Sequence, residues 1–148
     1  MEAQEFVDKI AEQLMPWGMP QASARLYGYL LLNTEPVSLD EFAEALEMSK
    51  STASVAARLL VQHKLARRHA VRGSKRILFS ATENYAGLFE EQASLLGQMG
   101  SLLNTAATDI ASKDAAKRMR EMAHFFLVTR EALQATIAAL KAEGIPKK

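Results

Sequence analysis

The chain has 148 residues, 18 of them Lys or Arg and 17 Asp or Glu, no cysteine, and few glycines or prolines. That length suits one domain, or one small domain plus a helical extension, with a single useful core, and the absent thiols exclude disulfides, thiolate metal sites and cysteine nucleophiles. The near-neutral total hides a segregation of charge. The 35-residue window from Met48 to Thr82 holds Lys50, Arg58, Lys64, Arg67, Arg68, Arg72, Lys75 and Arg76 and no acidic residue, which leaves 10 basic against 17 acidic residues elsewhere. A block of cations in an otherwise acidic chain is the footprint expected of a phosphate-backbone partner.

The N-terminus carries Glu2, Glu5 and Asp8 where a secretory signal needs a basic and then an apolar run, and no apolar stretch approaches membrane-spanning length. The expectation is a cytoplasmic protein without a membrane partner. Phe6, Ile10 and Leu14 recur at helical spacing through residues 2–15, and Pro16-Trp17-Gly18 ends that helix. Gln21–Asn33 is predicted as a second helix, with Leu30-Leu31-Leu32 apolar nearly all round and so expected to be buried on more than one side. Val37 allows a very short strand. Ser38-Leu39-Asp40-Glu41 is a capping box that opens a third helix with Phe42, Ala45 and Leu46 on its apolar face.

Ser49 is the N-cap of the next helix. Two short helices joined by a tight turn predict a helix-turn-helix. On the second of the pair, Ala53, Ala56, Ala57 and Leu60 share the packing face, and Lys50, Ser51, Ser54, Val55 and Arg58 are left facing outward. Leu65–Val71, Arg72–Lys75 and Arg76–Ser80 are predicted as strand, turn and strand, with Gly73 supplying a positive φ. Helix resumes over about 83–103 and again from Ser112 or Asp114 to Ala142. In the latter, Met119, Met122, Phe126, Leu133, Ile137 and Leu140 follow at intervals of three, four, seven, four and three. Ala123, Phe125 and Val128 broaden this stripe beyond what one partner helix covers, which argues for burial between subunits. The alternative is packing of the three long helices within one chain. Gly144-Ile145-Pro146 closes the last helix.

Helix, helix, turn, helix and basic hairpin, in that order, form a winged helix-turn-helix: a mainly α fold with a small β-hairpin wing. The turn-flanked helix is predicted to enter a major groove of double-stranded DNA, where Ser49, Lys50, Ser51, Thr52, Ser54, Val55 and Arg58 meet bases or phosphates. The wing tip, Arg72, Gly73, Ser74, Lys75 and Arg76, is predicted to reach an adjacent minor groove or its phosphates. Arg67 and Arg68 suit either DNA contact or the guarding of a strand edge.

The segments Pro20-Gln21-Ala22-Ser23-Ala24-Arg25-Leu26-Tyr27-Gly28-Tyr29-Leu30-Leu31, Ser49-Lys50-Ser51-Thr52-Ala53-Ser54 and Leu59-Leu60-Val61-Gln62-His63-Lys64-Leu65-Ala66-Arg67-Arg68 resemble the MarR superfamily of transcription regulators, and within it the GbsR-like branch. The resemblance implies one MarR-like domain over 1–148, a DNA-binding core at 18–82, and helical dimerisation elements at 1–17 and 83–143. It further implies a homodimer on a palindromic operator, more often a repressor than an activator, and control by a small effector of unknown identity. Phe6, Ile10 and the stripe from Met119 to Leu140 are the expected dimer contacts. The sequence departs from the MarR pattern twice: Arg72-Gly73-Ser74-Lys75-Arg76 replaces an Asp-containing wing motif, and Lys64 stands where the recognition helix usually ends in glycine.

His63, His69 and His124 lack metal-site spacing, and no nucleophile, base and orienter can be assembled, so neither metal, cofactor nor catalysis is expected. Trp17, Tyr27, Tyr29, Phe125 and Phe126 suit an effector cavity, or else core and dimer contacts. An adaptor whose basic face meets an acidic protein is the competing function.

Overall fold

A computed structural model describes residues 1–144, in two compact units that divide between Thr82 and Glu83. Ile145 and Pro146 of the predicted C-terminal closure lie outside the described residues. The first unit runs α1 (Ala3–Leu14), a 3-10 turn (Met15–Trp17), α2 (Gln21–Leu32), β1 (Val37–Ser38), α3 (Leu39–Ala45), α4 (Lys50–Gln62), β2 (Ala66–Ala70) and β3 (Ile77–Ala81). The strands form one antiparallel sheet in the order β1-β3-β2, with Val37 opposite Phe79, Ala66 opposite Ala81, and Ala70 opposite Ile77.

Local chemistry sets the helix starts. Ser38 Oγ accepts the Glu41 amide N–H at 3.2 Å, which caps α3, and Glu41 Oε1 reaches back to accept the Ser38 hydroxyl instead of the backbone N–H of a full capping box. Ser49 caps α4 by accepting the Thr52 N–H at 3.0 Å. The core of the unit is Leu26, Leu30, Phe42, Leu46 and Leu60, all essentially inaccessible, joined by Phe79 from the sheet. Ala53, Ala56 and Ala57 are small enough for α4 to lie close on its neighbours, and the buried Ser23 hydroxyl donates to the Ala56 carbonyl across α2 and α4. Phe42 and Phe79 meet edge to face, with ring centroids 5.9 Å apart and planes at 74°.

Three expectations on helices and side chains are corrected. Leu30 alone of the leucine triplet enters the core; Leu31 and Leu32 are 43% and 46% exposed, because the last turn of α2 presents them on its outer side. Trp17 is 89% exposed and Phe125 76%, so neither belongs to an enclosed cavity. The fifth helix runs well past Leu103, as the residues after it contain no glycine or proline to stop it. The strands differ as well: β2, Ala66–Ala70, is a residue shorter at each end than predicted, and β3, Ile77–Ala81, is shifted by one residue.

The turn after α4 explains how Lys64 replaces a glycine. Leu65 N–H bonds the Leu60 carbonyl at 2.9 Å and Lys64 N–H the Val61 carbonyl at 3.1 Å, a Schellman closure whose left-handed residue is Lys64 at φ 61°. The same closure ends α3: Met48 N–H bonds Ala43, Glu47 N–H bonds Glu44, and Glu47 takes φ 54°. Both helices of the helix-turn-helix therefore end on side-chain-bearing residues in a conformation that favours glycine. Lys64→Gly is expected to raise the unfolding free energy by about 0.5–1 kcal/mol, the relief of strain outweighing the extra freedom of the unfolded chain. A urea midpoint that stays or falls would contradict it.

In the second unit, α5 (Tyr85–Asp109) and α6 (Lys113–Ala142) form an antiparallel hairpin, each start capped by a side chain: Asn84 to Gly87 N–H, Ser112 to Ala115 N–H. Buried Ala93, Gly97, Gly100 and Ala107 of α5 meet Ala116, Ala123 and Ile137 of α6. A Cβ on Gly100 would lie 2.7 Å from Leu127 Cγ, so the close helix approach needs a glycine there. A seam of such small residues leaves large apolar side chains outside it. Leu95, Met99 and Leu102 of α5, and Met122, Phe125 and Val128 of α6, are largely exposed.

Candidate nucleic-acid interface

α4 and the wing border one groove of about 560 Å³, lined by Asp40 of α3, Lys50, Ser54 and Arg58 of α4, Arg68 of β2, and Lys75, Arg76 and Ile77 of the wing. Residues far apart in sequence are thus brought to one face of one compact unit. On α4, Lys50, Ser51, Thr52, Val55 and Arg58 are exposed and Ser54 is half-buried at the groove wall. Val55 is the apolar member of that exposed set, a side chain suited to a thymine methyl. The Ser49 hydroxyl donates to Thr52 Oγ1 at 2.9 Å while capping the helix, so these two hydroxyls serve the helix start first.

The wing tip is shaped as its residues dictate. Gly73 sits at φ 75°, with nothing near the position of a Cβ, and Ser74 Oγ accepts the Arg76 N–H at 3.0 Å. Arg72, Lys75 and Arg76 all reach solvent. Arg67 and Arg68 are exposed on β2, and Arg68 lines the groove, whereas His69 turns to Ser80, with Nε2 and Oγ 2.7 Å apart.

The acid-free window is acid-free only along the chain. Lys50 Nζ lies 3.2 Å from Asp40 Oδ1, and Arg76 Nη2 lies 3.2 Å from Glu41 Oε1. Two of the cations predicted to contact DNA are thus paired with adjacent carboxylates in the first turn of α3. Neither acid was legible as part of this surface, since both fall outside the basic window and Glu41 was already accounted for by the capping box.

The expected dimer contacts are distributed unevenly. Phe6 and Ile10 are half-buried on α1, whose Val7 and Ala11 are buried within the first unit. On α6, Met119, Phe126 and Leu133 are half-buried, Ile137 is buried, and Met122 and Leu140 are exposed. Among the described residues, no helix is long and apolar enough to cross a membrane.

No protein-family model matches the sequence. The chain is 29% identical over 86 residues, 58% of its length and 46% of the relative's, to the HTH-type transcriptional repressor OpcR of Bacillus subtilis (strain 168). It is 30% identical over 84 residues, 57% of its length and 48% of the relative's, to the putative HTH-type transcriptional regulator YvaV of the same organism. The chain therefore spans about half the length of the curated relatives it matches. The crystal structure of a transcriptional regulator superposes with a TM-score of 0.84 at 25% identity, covering 95% of this chain and 98% of that one.

With its helix-turn-helix, three-stranded sheet and basic wing, the chain is a winged helix-turn-helix protein. One helix precedes the winged helix in the chain, and two long helices follow it.

Proposed function

We propose that this chain is a sequence-specific regulator of transcription that binds double-stranded DNA as a homodimer, and that it acts as a repressor. The observation that carries the reading is the shared groove: the exposed N-terminal face of α4 and the cationic wing tip border the same opening. An α-helix fits the major groove while an arginine-bearing hairpin follows the neighbouring phosphates or minor groove. Ser51, Ser54, Val55 and Arg58 are the base-reading candidates. Lys50, Arg72, Lys75 and Arg76 anchor phosphates, Gly73 and Ser74 shape the tip, and Ser49 and Thr52 hold the helix start against the backbone. Repression is inferred from the name of OpcR, and placement in the GbsR-like branch from the sequence resemblance alone.

Residues 18–82 are the DNA-binding core in this reading, and 1–17 and 83–143 supply dimerisation. Support comes from the α5–α6 hairpin. Its small-residue seam leaves Leu95, Met99, Leu102, Met122, Phe125 and Val128 in water, and a second copy of the same hairpin is the economical cover for that apolar surface. Regulation by a small effector remains part of the proposal as the resemblance implies it.

Selection of bound duplexes from a random library tests the whole reading. The expected product is a palindrome with half-sites separated by about one helical turn, ~10 bp, or a multiple. Affinity for it is expected to fall steeply with salt, by a log–log slope of about −0.9 per phosphate neutralised. Enrichment of no sequence, with capture of acidic proteins by the same face, would replace this reading with the adaptor. Sedimentation of the free protein as a monomer at micromolar concentration would remove the homodimer.

A further inference from the structure

We infer that Asp40 and Glu41 are specificity-determining residues of this DNA face, acting as paired counter-charges that suppress binding to arbitrary DNA. The inference rests on the DNA-binding reading above. The two carboxylates occupy consecutive positions in the first turn of α3, yet they address opposite sides of the groove: Asp40 holds Lys50 of the recognition helix, and Glu41 holds Arg76 of the wing. Glu41 Oε1 also accepts the Ser38 hydroxyl. One turn of α3 therefore fixes a cation on each of the two elements that approach DNA.

Helix capping does not explain the charges. A capping box accepts glutamine as readily as glutamate at its third position, and Asp40 is not its reciprocal partner. Acids in the first turn of α3 also favour its N-terminus through the helix dipole, but that interaction asks for no basic partner on either side of the groove. All four side chains are about half or more exposed, and ion pairs of that kind are weak enough for a phosphate to displace. Displacement, however, leaves a carboxylate facing the DNA backbone, and that repulsion lowers affinity for every duplex.

The effect differs between duplexes. Binding to arbitrary sequence is almost wholly electrostatic, so it bears the full repulsion. Binding to a preferred site adds directed base contacts by Ser51, Ser54, Val55 and Arg58, which fix one docked register in which Lys50 and Arg76 reach phosphates without abandoning the carboxylates, whereas a non-specific complex has no such register. The same pairs therefore weaken the non-specific complex more than the specific one. Arg58, Arg68 and Lys75, which also line the groove, have no ion-pair partner among the described residues and supply the general attraction.

The experiment compares the full chain with Asp40→Asn and Glu41→Gln by fluorescence anisotropy. Two duplexes are used, one of random sequence and one selected by the unaltered protein, at low and physiological salt. Each substitution is expected to tighten binding to the random duplex about three- to tenfold at low salt, where the lost repulsion is least screened. The preference for the selected duplex is expected to shrink by a similar factor, and the salt slope to steepen by up to about 1 as the freed cation engages a phosphate. Glutamine preserves the cap, so thermal unfolding of Glu41→Gln reports whether the fold is retained. Unchanged or weaker binding to the random duplex overturns the inference, and equal tightening on both duplexes overturns the specificity role. Failure of the unaltered protein to bind either duplex overturns the DNA-binding reading instead.

Discussion

Phe42→Ala is expected to lower the unfolding free energy of the first unit by about 3–5 kcal/mol. The side chain is fully buried and contributes both transfer free energy and an edge-to-face contact with Phe79, and its removal leaves a cavity at the junction of α3 and the sheet. A loss of that size is a large part of the ~5–15 kcal/mol that keeps a domain folded. The functional consequence follows from position. Phe79 lies on the central strand of the sheet, opposite Val37 and Arg68, so the contact with Phe42 ties the wing to the helix-turn-helix. Phe42→Leu, which keeps most of the volume, is expected to cost less than half as much. Urea denaturation followed by circular dichroism measures both; a cost below about 1 kcal/mol for the alanine variant would mean that Phe42 does not bridge these elements.

The features that were legible in the sequence are those governed by a few neighbouring residues. Ser38 with Glu41, and Ser49 as a cap, identify themselves because a side-chain acceptor three residues ahead of an amide is a local geometry. Gly73 is legible for the same reason: the hairpin turn needs a positive φ and glycine supplies it. The left-handed conformations of Lys64 and Glu47 were not legible, since each is imposed by two backbone hydrogen bonds that close a helix, not by its own preference. The seam of α5 and α6 was hidden differently. Periodicity finds large apolar residues, whereas this hairpin packs through alanine and glycine and leaves many of the large ones outside.

The charge pattern shows the same division between sequence distance and space. The basic window reports a real property, since α4 and the wing that it covers do border one groove. It conceals Asp40 and Glu41, which lie ten and 35 residues from the cations they hold. Composition along the chain therefore overstates the positive character of this face, and the unpaired cations matter more than the total.

That distinction separates the expected effects of Arg58→Ala and Arg76→Ala on DNA binding. Arg58 projects from the exposed side of α4 into the groove without an ion-pair partner among the described residues. If it meets a base edge, its loss costs about 1–3 kcal/mol on the selected duplex, roughly a factor of five to 150, and relaxes the preference at one position of each half-site. Arg76→Ala leaves the Glu41 carboxylate uncompensated at the wing and, on the proposed function, removes a phosphate anchor, so it is expected to weaken all duplexes alike and more than Arg72→Ala, which strands no acid. Adding Glu41→Gln to Arg76→Ala should then restore binding to the level of Arg72→Ala. Anisotropy titrations on selected and random duplexes separate these outcomes: a uniform loss for Arg58→Ala would reassign that residue to the backbone, and equal losses for Arg72→Ala and Arg76→Ala would show that Glu41 does not act on the bound DNA.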